Sequence, residues 1–172
     1  MVRSALCLVV VAFAGFAVLA PSVGTAQDDE RPRLAVDMVL RVTDVDTRGS
    51  SKFQYDEFRA DGSPFGASDV TTWTKRSERS SERQHPRFEI ESEAGWVKGL
   101  LTVDKTYLKT TRTYQRIEYD GEGAIEDGGP ASTRYGGAYG QIESFHGTLT
   151  CRASGRCTGT IRMRGYVRLK PR

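Results

Sequence analysis

The feature that most constrains this chain is a two-residue rhythm that recurs from residue 34 to residue 169. Leu34, Val36, Met38, Leu40 and Val42 fall on one parity, with Asp37 and Arg41 on the other. Phe88 and Ile90 oppose Arg87, Glu89 and Glu91. Ile161, Met163, Val167 and Leu169 oppose Arg162, Arg164, Arg168 and Lys170. Successive strand side chains point to opposite faces, so this rhythm builds half-buried strands. No stretch beyond residue 26 has the apolar spacing of an amphipathic helix. Further strands fit 53–55, 70–75, 96–103, 111–119, 123–126 and 141–150, with a polar loop at 77–83. Gly, Asp, Ser and Pro separate about eight to ten such segments, a pattern of barrels and sandwiches.

Residues 1–26 follow a different rule. Arg3 precedes an unbroken apolar stretch from Ala5 to Ala20, Pro21 ends it, and Gly24-Thr25-Ala26 supplies small residues. That is the layout of a cleavable secretory signal, too short for a comfortable membrane span. Removing 26 residues from 172 leaves 146, enough for one domain. Residues 27–33 read as a flexible lead-in and 34–172 as a single β domain. Without Arg3, 24 Lys and Arg face 22 Asp and Glu, a balance of +2. This does not suit a polycationic nucleic-acid binder, and the expectation is a secreted or periplasmic protein with no membrane insertion. The basic row at 162–170 shares a parity, which makes it the wet face of the last strand.

Of three cysteines, Cys7 lies in the signal, leaving Cys151 and Cys157 as an even pair. Five residues containing a glycine separate them, a hairpin-loop length, so a disulfide is expected. A metal site would need further ligands, and neither His85 nor His146 has the spacing to provide them. No cofactor fingerprint is present: Gly121-Glu122-Gly123 lacks the third glycine of a dinucleotide loop, and no Gly-x-Ser-x-Gly occurs. His146 reads as a hydrogen-bonded strand histidine and His85 as a surface residue.

The segment Tyr119-Asp120-Gly121-Glu122-Gly123-Ala124-Ile125 is followed by Tyr135-Gly136-Gly137-Ala138-Tyr139-Gly140-Gln141. It resembles the allene oxide cyclase and dirigent barrel superfamily, where an aromatic strand ends in a Gly-x-Gly turn. A glycine-rich segment then closes on aromatic-x-Gly-Ala-x-Gly. The likeness covers about a quarter of the chain and implies an eight-stranded antiparallel, calycin-like β-barrel. It transfers no catalytic residue. Tyr139 stands where dirigent proteins carry arginine, and Leu34–Thr43 offers no counterpart of the cyclase glutamate.

Inside such a barrel, Phe53, Tyr55, Trp73, Phe88, Ile90 and Tyr139 would line an apolar pocket. Glu57 shares the parity of Phe53 and Tyr55, which would point it inward as a general acid or base. A bulge near Phe58 would instead turn it to solvent. Tyr119, a second catalytic candidate, and Gln115, a ligand-binding one, share the face of Ile117, and either line a cavity or pack at a barrel end. Two functions follow: a cyclase or isomerase that folds an apolar substrate, or a non-catalytic carrier of an apolar ligand. A third is a protein-interaction module using the Arg-rich outer strand, and a homo-oligomer is compatible with all three.

Overall fold

The computed structural model describes residues 32–46 and 50–170. The signal segment 1–26 and most of the lead-in, 27–31, lie outside these residues. The described chain is nearly all strand: β1 (Arg33–Val45), β2 (Phe53–Ser63), β3 (Ser68–Lys75), β4 (Arg83–Gln84), β5 (Arg87–Ser92), β6 (Gly95–Thr110), β7 (Tyr114–Gly129), β8 (Tyr139–Arg152) and β9 (Cys157–Arg168). A single 3-10 turn, Arg76–Glu78, interrupts the polar loop after β3.

Eight strands pair antiparallel in the cyclic order β6-β5-β3-β2-β1-β9-β8-β7, and β7 returns to β6 to close the ring. The short β4 lies outside the ring against the far half of β6. Closure leaves the eight-strand ring without an edge strand. The expected all-β antiparallel barrel is therefore the fold.

The parity predicted for β1 and β9 holds. Val36, Met38, Leu40, Ile161, Met163 and Val167 are all buried, while Arg162 grips Asp37 across the outer face through two hydrogen bonds of 2.8 and 2.7 Å. Those bonds hold the Asp37 carboxyl below its usual range. At 121–123 the sequence suggests a turn, but β7 runs straight through as one strand with a bulge opposite β8. A Cβ at Gly121 would approach Thr102 O to 2.3 Å, so the glycine serves close strand approach within the ladder.

One end of the barrel is closed. There the largely exposed 130–138 connection covers the end of the barrel and buries Tyr135 completely; its ring lies 4.8 Å from that of Phe65 and its hydroxyl donates to Pro64 O at 2.8 Å. Gly137 turns this segment back at φ +66°, a conformation that L side chains rarely adopt. Phe88, Ile90, Ile125 and Ile142 complete the apolar packing of this half.

Tyr135→Phe should leave Pro64 O without its donor and lower stability by about 1 kcal/mol. Tyr135→Ala should open a cavity and cost about 3–5 kcal/mol. Urea unfolding midpoints of the two variants check both values.

Candidate functional site

The other end of the barrel is open, and a cavity of about 440 Å³ enters it. A narrow recess of about 40 Å³ leads inward, and Asp56, Phe58, Thr74, Gln84, Tyr119 and Leu149 border both spaces. The composition of the inward rows explains why the space exists. On β2 the inward side chains run Ala60, Phe58, Asp56, Gln54 toward the open end. On β3 they run Val70, Thr72, Thr74, and on β6 Leu101, Val103, Lys105, Tyr107. Each row turns from apolar to polar toward the same end, so the apolar core stops halfway along the barrel.

Register fixes these faces. Asp56 lies opposite Thr72, Thr72 opposite Phe88 and Phe88 opposite Gly99, so all four point inward. Glu57 lies opposite Thr71, Thr71 opposite Glu89 and Glu89 opposite Lys98, which is the outer face. The expectation that Glu57 faces the interior is thereby corrected, and Asp56 is the interior carboxylate. The bulge near this point lies in β1, between Val42 and Asp44; β2 itself keeps register with β3 from Phe53 to Ala60.

The same register corrects the aromatic lining. Tyr55 lies opposite Trp73 on the outside, their rings stacked 6.4 Å apart, with Phe53 6.3 Å from Tyr55. Phe88 and Ile90 point inward but belong to the packed, closed half. Tyr139 begins β8 at the closed end, far along the strand from Cys151 at the mouth. Among the residues proposed for the site, Gln115 and Tyr119 border the cavity. Cys151 and Cys157 also border it, as the disulfide expected from their spacing, with Cα atoms 4.0 Å apart across the β8–β9 hairpin.

Asp56 is held in place by Gln54, whose Nε2 donates to both carboxylate oxygens at 2.9 and 3.0 Å, and by the Asp46 N–H at 3.2 Å. Burial raises its pKa above the ordinary 3.8 despite these donors. Lys105 is 8% exposed, and its Nζ donates to Arg79 O at 2.7 Å. Burial, reinforced by the Arg79 charge, lowers its pKa. Tyr119 is pushed the other way, first by burial and then by the Asp56 charge, so its phenol stays protonated at neutral pH. Gln84 ties the wall to the 76–84 loop, its Nε2 donating to Glu78 O at 2.9 Å and Arg79 O at 3.2 Å.

The arrangement brings an acceptor carboxylate, a phenol donor and an ammonium to one water-restricted space. Such a space can orient a small polar ligand and exchange a proton with it. The fold and cavity define a β-barrel closed at one end and open at the other, an architecture compatible with ligand binding. Comparison with family models, curated proteins and solved structures gives no match for the chain.

Asp56 makes stability pH-dependent in a definite direction. Its folded pKa lies above the unfolded value, so the folded chain binds the extra proton between the two. Stability from this group is full below pH 3.8 and falls as pH rises through the folded pKa. Asp56→Asn should therefore be more stable than the native chain at neutral pH, the difference vanishing toward pH 3. Denaturant unfolding across that range checks the sign.

Proposed function

We propose that the protein binds one small amphiphilic molecule in the open half of its barrel, outside the cytoplasm. The observation that carries this reading is the cavity of about 440 Å³, within the range of single-ligand sites. Phe58, Ile117 and Leu149 offer it an apolar wall, and Gln54, Asp56 and Tyr119 a polar one. A purely apolar ligand would leave the second wall without partners. The ligand expected from the sequence, an apolar compound, is therefore refined to one with both characters. The disulfide and the signal-like leader support a secreted or periplasmic location.

A second reading, catalysis, is favoured by Asp56. A buried carboxyl with a raised pKa beside a protonated phenol suits general acid–base work. Isomerisation or cyclisation of the bound molecule needs little more than restricted conformers and one proton exchange. The partial likeness of 119–141 to allene oxide cyclases supports that class of reaction. The interaction-module reading has less support, because Arg162 and Arg164 on the outer strand already face Asp37.

Protein purified from its own producer should carry a co-purified small molecule in native mass spectrometry. Ala153→Trp, at an exposed rim position bordering the cavity, should block the mouth without touching the core and abolish that extra mass. A bare chain in both samples would refute the binding reading. For a molecule that the protein converts, Asp56→Asn should lower turnover about 100-fold or more while leaving binding within a few-fold.

A further inference from the structure

Two hairpin tips stand side by side at the open end of the barrel, the β6–β7 turn at 111–113 and the β8–β9 turn at 153–156. Ala153 N–H donates to Thr113 O at 2.9 Å, which joins them, and the Cys151–Cys157 disulfide closes the second. The charged residues of these tips are all basic. Lys109, Arg112, Arg116, Arg152 and Arg156 are exposed, and no Asp or Glu occurs in 105–117 or 144–172. Among the described residues, none of the five has an acid partner. Elsewhere on the outer face cations are answered across strands, Arg59 by Asp69, Lys98 by Glu89 and Arg162 by Asp37. Here the register sets Lys109 directly opposite Arg116, and Arg116 opposite Thr150. Like charges directly opposite one another destabilise a strand pair, and an external polyanion offsets that cost.

A second, independent observation is apolar. Among the described residues, the two exposed large hydrophobic side chains are Tyr107 and Leu108, 43% and 47% exposed. Both lie on β6 just before the basic tip, at the register shift between Tyr107 and Lys109. An aromatic and an aliphatic side chain among exposed cations suit the headgroup layer of an anionic bilayer. There the apolar groups leave water while the cations stay at phosphate level. A nucleic-acid backbone would meet the cations but gives Leu108 nothing to leave water for. The 76–84 loop, on another part of the rim, mixes Glu78 and Glu82 with Arg79 and Arg83, so the contact falls on the two-hairpin side.

We propose that these hairpin tips dock the open end of the barrel on an anionic phospholipid surface, with Tyr107 and Leu108 entering the headgroup layer. The five cations need not converge, because a charged surface answers each of them where it stands. Tyr107, Arg112 and Arg152 also border the cavity, so docking brings its mouth to the bilayer. An amphiphile then passes between bilayer and barrel with its apolar part shielded from water. Docking does not require an occupied cavity, so it and the binding function stand or fall separately.

Co-sedimentation with vesicles of phosphatidylcholine, alone or with about one-third phosphatidylglycerol, tests the proposal. At an ionic strength of about 0.05 M the protein should bind the mixed vesicles and not the neutral ones, and about 0.5 M salt should weaken binding at least tenfold. Arg112→Gln, Arg152→Gln and Arg156→Gln together should lower binding about 100-fold, and Leu108→Ser alone about fivefold. Arg116→Gln relieves a like-charge pair, so it should lower binding about fivefold without lowering the urea midpoint, which separates a lost docking charge from a damaged barrel. Leu108→Trp should add fluorescence that shifts to the blue on mixed vesicles, whereas Ser132→Trp, exposed at the closed end, should add fluorescence that does not shift. No binding to mixed vesicles at low salt, or native binding by the triple variant, would overturn the proposal. Retention on RNA with an unshifted Leu108→Trp emission on vesicles would overturn it in favour of a nucleic-acid partner.

Discussion

A closed ring of eight strands encloses an interior whose width is set by strand number, and the chain must fill that interior or leave it open. Here the filling is uneven. Met38, Phe88, Ile90, Tyr135, Ile142 and Met163 pack one half to full burial. In the other half the inward positions pass to Gln54, Asp56, Thr74, Gln84 and Lys105, whose polar atoms cannot meet as a dry core. The packed half supplies the stability of the domain, and the closed backbone lets the polar half persist as a cavity. Everything proposed for function depends on that division along the barrel axis.

The polar half is also organised. Asp56 is fixed by Gln54 and the Asp46 amide; Lys105 and Gln84 reach out of the wall to carbonyls of the 76–84 loop. These side chains therefore do two things at once. They shape the cavity wall, and they anchor the loop that brings Arg79 to the mouth. Elsewhere on the rim, the disulfide and the turn-to-turn hydrogen bond fix the wall carrying Arg112 and Arg152. A site held on strands and pinned turns is preorganised, which lowers the ordering cost of binding.

The barrel itself was legible in the sequence, because alternation reports burial directly where one face is uniformly apolar, as in 34–42 and 161–169. The disulfide was legible from a short loop and an even count. The site was not. Phe53 and Tyr55 suggested an inward face for β2, yet they stack with Trp73 outside, while Phe58 and Ala60 carry the inward parity and place Asp56 in the cavity. Alternation gives two faces without naming which is inside, and an aromatic cluster on the outer face inverts the reading. A usable signal did exist. Leu101, Val103 and Lys105 share one parity, as do Val70, Thr72 and Thr74, and in an antiparallel ring their polar ends converge. The glycine-rich run at 135–140 marks the sealed end of the barrel, opposite the cavity.

Asp56 stands enclosed in the open half of the barrel, bordering the space a ligand would enter. Carbon-13 NMR titration of its side-chain carboxyl in selectively labelled protein tests this most directly. An enclosed Asp56 titrates above the ordinary 3.8, and its carboxyl resonance differs between protein carrying the co-purified molecule and protein stripped of it. A carboxyl that titrates at or below 3.8 and is the same in both samples would contradict this placement.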